Sequence, residues 1–106
     1  MHDGQILRLG TADLHVRHTP GHTPGHCILH VPESSVCFCG DLIFQGSVGR
    51  TDLPGGNWEQ LVQSIRTKVF TLPDATRLLS GHGPETTVGQ EKQTNPFVGG
   101  GAQDPF

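Results

Sequence analysis

The sequence predicts a small protein of the α/β (α+β) class, on three observations. Apolar runs of four to six residues, bounded by Gly, Pro and polar turns, recur through the first forty positions and read as strands. From Trp58 to Val69 the apolar residues Trp58, Leu61, Val62, Ile65 and Val69 fall at helical spacing. The length of 106 residues, 33% of them hydrophobic, suits one domain with a small core.

The elements follow in order. Ile6 to Leu9 and Asp13 to His18 are expected as two short strands with Gly10-Thr11 turning between them. Thr19-Pro20-Gly21-His22-Thr23-Pro24-Gly25-His26 is a tandem tetrapeptide. Its histidines are four apart and would stack on one face of a helix, but each proline removes a donor and each glycine costs about 1 kcal/mol, so the segment is a loop. Cys27 to Val31 is a strand, Pro32 to Ser35 a polar turn, and Val36 to Cys39 an apolar strand expected to be buried on both faces. Gly40-Asp41 ends it, and Leu42-Ile43-Phe44 runs into a glycine-rich loop, Gly46 to Arg50, irregular through Gly56. Asn57 with Gln60 imitates a capping box and opens one amphipathic helix, lost near Leu72-Pro73. Thr76 to Leu79 is a short strand, followed by the loop Ser80 to Pro84. Thr87 with Gln90 caps a second helix that reaches about Thr94 and stops before Pro96.

Composition narrows the function. Seven Lys and Arg against ten Asp and Glu give a net charge of −3 with no basic stripe, which argues against nucleic acid or an anionic membrane as partner. No apolar run approaches the ~18 residues of a spanning helix. Met1-His2-Asp3-Gly4 lacks the basic and apolar regions of a signal peptide. Three cysteines exclude a full disulfide framework and favour a reducing, cytoplasmic setting. Cys37 and Cys39, two apart on a strand, share a face and read as small buried side chains rather than a zinc pair. No Gly-x-Ser-x-Gly elbow is present, and Gly46-Ser47-Val48-Gly49 lacks the Lys-Ser/Thr ending of a phosphate loop.

Seven histidines are present, five of them between His15 and His30. A single loop histidine is ordinarily solvated, and Asp41 could simply cap a turn. Yet His22 lies in a Pro/Gly loop between strands, and Asp41 and His82 each directly follow a strand. All three are preceded by glycine, which lets the next side chain be aimed at a point. Two imidazoles and a carboxylate suit Zn, Mn or Fe.

Five motifs occur in order: His18-Thr-Pro-Gly-His22-Thr-Pro-Gly25, Gly40-Asp41, Gly46-Ser-Val-Gly-Arg-Thr-Asp-Leu-Pro-Gly-Gly56, Gly81-His-Gly-Pro84 and Thr94-Asn-Pro-Phe97. Together they resemble the metallo-β-lactamase superfamily, and within it the glyoxalase II-like (hydroxyacylglutathione hydrolase-like) proteins. The resemblance covers about residues 3 to 98. It implies half of an αβ/βα sandwich, a mixed β-sheet with two helices packed on one face, with 1–98 as the C-terminal half of the domain and 99–106 as a flexible tail. It makes His22 a ligand of one metal, His82 a ligand of the other, and Asp41 the carboxylate bridging both. Asp41 is then catalytic through a hydroxide held between two ions, zinc by expectation, with iron or manganese as alternatives. Arg50 matches a basic position lining the substrate groove, where it would meet glutathione carboxylates; a structural pair with Asp52 is the other reading. His18 and His26 match no ligand position; for His26 the two readings are a cap on its strand and a support of the site from behind. The implied activity is hydrolysis of thioesters such as S-acylglutathione. Persulfide dioxygenases, which share the fold and use one iron, are the alternative, as is a non-catalytic metal-binding half-domain that dimerises. Members also carry a His-x-His-x-Asp-His motif in an N-terminal half, and this chain has none. The expected partner is therefore a second copy or a chain supplying that half.

Overall fold

The computed structural model describes residues 2–81 and 83–100. Strands β1 (Ile6–Leu9), β2 (Ala12–His18), β3 (Cys27–Val31) and β4 (Val36–Gly40) form an antiparallel meander. A small hairpin, β5 (Ile43–Phe44) and β6 (Ser47–Val48), follows. Helix α1 (Trp58–Ser64) continues as a wider π-helical turn over Ile65–Val69. Strand β7 (Arg77–Ser80) returns beside β4 in parallel, β8 (Thr86–Thr87) pairs with β7, and α2 (Val88–Thr94) ends the fold. The large sheet has the order β1-β2-β3-β4-β7-β8, mixed because only β4–β7 is parallel.

Both predicted caps are present. The Asn57 side chain accepts from the Gln60 amide at 3.0 Å, and Thr87 accepts from the Gln90 amide at 3.2 Å. The predicted glycine-rich loop after Asp41 contains a hairpin. Gln45-Gly46 is its two-residue turn, with Gly46 at φ +73°.

Strand pleat decides what the core takes. Ile28, Cys37, Cys39 and Leu78 point to the face covered by α1 and bury fully against Leu61, Val62, Ile65 and Val69. Each such aliphatic side chain contributes about 1.5–3 kcal/mol by leaving water. Cys37 and Cys39 are the small buried pair the spacing predicts. The expectation that β4 is buried on both faces fails at Phe38, which is 45% exposed. Its register row, Val16, Leu29, Phe38 and Leu79, lies on the sheet face turned away from α1. An all-apolar run therefore identified a strand with two apolar faces, one of which the described residues bury at Val16 but leave exposed at Phe38.

Of the segment expected as a tail, Gly99 and Gly100 bond back to the Asn95 and Lys92 carbonyls. Positions 101–106 lie outside the described residues.

Candidate metal centre

His22 is aimed by the two residues before it, both fastened to α1. The Ser64 hydroxyl donates to the Pro20 carbonyl at 2.7 Å, and the Asn57 amide donates to the Gly21 carbonyl at 2.7 Å. Gly21 sits at φ +139°, and a Cβ there would overlap the main chain of Leu61, so only glycine lets the loop approach the helix this closely. The rest of the tetrapeptide braces itself: His18 Nε2 bonds the Pro24 carbonyl at 2.7 Å, and the Thr19 amide donates to the His26 carbonyl at 2.8 Å.

The His22 ring is then fixed from one side. Its Nδ1 lies 2.8 Å from the Arg50 carbonyl. A carbonyl only accepts, so Nδ1 is the donor there, and in the neutral ring Nε2 is the nitrogen with the lone pair. That Nε2 faces Asp41 Oδ2 at 3.9 Å. This is too long for a hydrogen bond, but bonds of about 2.0–2.2 Å from each atom could meet at one cation.

Asp41 follows β4 through Gly40, which takes φ +56°. The Gly81 amide donates to the Gly40 carbonyl at 2.9 Å and draws the loop after β7 against Asp41. Asp41 Oδ1 lies 3.2 Å from where a Cβ on Gly81 would stand. The carboxylate thus has one oxygen toward His22 and the other toward the residue that precedes His82. The predicted ligand His82 itself lies outside the described residues. Among the described residues, no three His, Cys, Asp or Glu side chains gather closely enough to hold an ion. The donor chemistry present, an imidazole with a free Nε2 and a carboxylate, fits a zinc-like or iron-like divalent ion.

His22, Asp41, Phe44, Val48, Gly49 and Arg50 line an open cleft of about 340 Å³. A similar hollow of about 350 Å³ along Pro20, Glu59, Gln60, Gln63 and Ser64 offers no histidine or cysteine, so the chemistry favours the former. The Arg50 side chain pairs in a fork with Asp52, at 2.8 and 3.0 Å, and this pairing holds the Asp52 carboxyl below its ordinary range. Both groups are solvent-exposed. His26 stands behind the site, its Nδ1 3.0 Å from the Thr19 hydroxyl and its ring edge-on to His22 at 6.2 Å. Burial, then the nearby His22, pushes His26 below the ordinary histidine value.

Sequence reasoning missed that the Arg50 main chain, not its side chain, holds His22. It also missed Gly49, where a Cβ would overlap the Asp41 carbonyl and stand 3.3 Å from His22 Nδ1. The glycine was visible in the sequence; its closeness to two distant residues was not.

The profile described as the metallo-beta-lactamase superfamily matches residues 1–82, and the chain belongs to that family. It is similar to the hydroxyacylglutathione hydrolase GloC of Haemophilus influenzae, 49% identical over 96 residues that make up 91% of this chain and 45% of the relative. Among solved structures, the BLEG-1 B3 metallo-beta-lactamase superposes with a TM-score of 0.89 at 46% identity, over 94% of this chain and 48% of that one. TTHA1623 in a di-iron-bound form gives 0.83 at 46% identity, over 92% and 47%. The chain therefore spans about half the length of the relatives it matches. The half-sandwich expectation, a mixed sheet with two helices, agrees with these neighbours, and the family is one of metal-dependent hydrolases. No helix of the described residues is long and apolar enough to cross a membrane.

Proposed function

We propose that this chain supplies part of the active site of a metal-dependent thioester hydrolase of the hydroxyacylglutathione hydrolase type. His22, Asp41 and His82 would be its metal ligands. The observation that carries this reading is the Asp41 carboxylate, with Oδ2 opposite the bare Nε2 of His22 and Oδ1 beside Gly81. A carboxylate so disposed suits a bridge between an ion held by His22 and one held by His82. Bound there, such ions would activate water and stabilise a developing oxyanion. Zinc and iron both suit these donors, and the di-iron form of a neighbour supports iron as much as the donor set supports zinc.

The chain's own residues define the rest. Phe44 and Val48 give the cleft an apolar wall for an acyl group. Arg50, at its rim, would exchange Asp52 for a carboxylate of a glutathione-derived substrate, an exchange made cheap by full exposure of the pair. The remaining ligands would come from a partner on the uncovered sheet face, either a second copy or an N-terminal half. Three unpaired cysteines, Cys27, Cys37 and Cys39, support a reducing compartment such as the cytoplasm.

The test is thiol release from S-lactoylglutathione by the chain mixed with the N-terminal half of its Haemophilus relative and zinc or iron. Release that disappears in Asp41→Asn is expected. No release with either metal, or release that survives Asp41→Asn, would overturn the reading.

A further inference from the structure

The Thr94-Asn-Pro-Phe97 motif has no role in the site as described, and Glu91 is a fully buried carboxylate that the site does not use. Both belong to one network. Glu91 Oε1 accepts from the Gly46 amide at 2.9 Å and from Asn95 Nδ2 at 2.9 Å, and Oε2 accepts from the Thr86 hydroxyl at 2.6 Å. Asn95 Nδ2 also donates to the Ser47 carbonyl at 3.1 Å, while its Oδ1 accepts from the amides of Phe97 and Val98. Burying a carboxylate is costly unless its oxygens are well bonded, and an apolar residue would pack α2 without that cost. What the carboxylate adds is a grip on the β5–β6 turn.

That turn leads directly to the site. Gly46 and Ser47 are followed by Gly49, whose amide bonds the Leu42 carbonyl at 2.9 Å and whose Cα backs onto Asp41, and by Arg50, whose carbonyl holds His22. Resting on the proposed metal site, we infer that Glu91 and Asn95 are positioning residues. From α2 they clamp the hairpin so that the Arg50 carbonyl fixes the His22 ring with Nε2 toward Asp41. The Asn-Pro-Phe motif is the C-terminal end of that clamp: Asn95 caps the turn after α2 with one end of its amide and holds the hairpin with the other.

The test uses the metal-free chain, so it stands apart from the metal reading. Nitrogen-15 spectra report which ring nitrogen of His22 carries the proton, and hydrogen exchange reports the Gly46 amide. The unmodified chain is expected to show His22 protonated at Nδ1 and a Gly46 amide at least about tenfold slower than an unstructured one. Glu91→Leu and Asn95→Ala should each release the Gly46 amide and move His22 toward the Nε2-protonated form. Glu91→Gln should keep the original pattern, because one amide oxygen can accept from both Gly46 and Asn95 while the Thr86 hydroxyl turns to accept. Lys92→Ala, which cuts only the exposed pair with Asp74, should change neither signal.

A folded Glu91→Leu chain with an unchanged His22 tautomer would overturn the inference. Should Glu91→Leu fail to fold, the unmodified chain decides, since an unprotected Gly46 amide overturns the clamp by itself. A zinc titration separates the two proposals. If zinc does not bind while Glu91→Leu still shifts His22, the clamp stands and the metal reading falls.

Discussion

A single methyl group at position 49 should disturb both described candidate ligands. Gly49→Ala would set a Cβ into the Asp41 carbonyl and against the His22 ring. We predict a loss of about 1–3 kcal/mol in urea unfolding, the range for overpacking. Gly25→Ala is the contrast: a Cβ there meets nothing within 4 Å, and the change should stay within about 0.5 kcal/mol. The glycines preceding His22, Asp41 and His82 were legible as aiming devices because they adjoin the ligands in sequence. Gly49 was not, because its neighbours are 8 and 27 positions away.

His30, on β3, is pushed below the ordinary value of 6.5 by burial first, then by Arg17 and His15. A histidine depressed in the folded state is matched to the unfolded one above 6.5. Below it, the unfolded chain takes the proton first, so stability falls as pH drops toward the folded value. Urea midpoints of the metal-free chain should therefore decline from pH 7 to pH 5, and His30→Gln should flatten the decline.

At the scale of elements, helix starts were legible and contacts between elements were not. Asn57 and Thr87 are caps because a short polar side chain can satisfy an amide three positions on, a purely local fact. Asn57→Ala should cost about 1 kcal/mol in urea unfolding. The substitution leaves the amide bond to Gly21, so zinc affinity should change less than stability. The β5–β6 hairpin was read as a loop because its strands are two residues each, too short to show alternation. Glu91 lies one turn after Val88 and so on the buried face of α2, but a lone glutamate gave no sign of the partners that let it be buried. Its burial follows from the hairpin folding over α2.

At the scale of the whole molecule, the sheet carries helices on one face and the apolar row Leu29, Phe38 and Leu79 on the other. A strand with two apolar faces was legible in Val36 to Cys39, and the half-sandwich resemblance implied one bare sheet face; that Phe38 is the side chain the described residues leave most exposed on it was not legible. An uncovered apolar sheet face is an association surface. Light scattering of the chain alone should give a mass that rises with concentration above 11.4 kDa, and Phe38→Glu should return it toward that value. A monomer at every concentration would mean the face is not an interface between copies.

His22, Asp41 and His82 are proposed here to hold metal. Elemental analysis after equilibrium dialysis of the chain against zinc decides whether they do. In the chain alone, with no partner's ligands to complete two sites, His22, Asp41 and His82 are expected to share one zinc with one open position. About one ion per chain is expected, falling below about a tenth of that in His22→Ala, Asp41→Ala and His82→Ala while circular dichroism is retained. A zinc content near zero, or one that these substitutions leave unchanged, would mean that these residues are not a metal site.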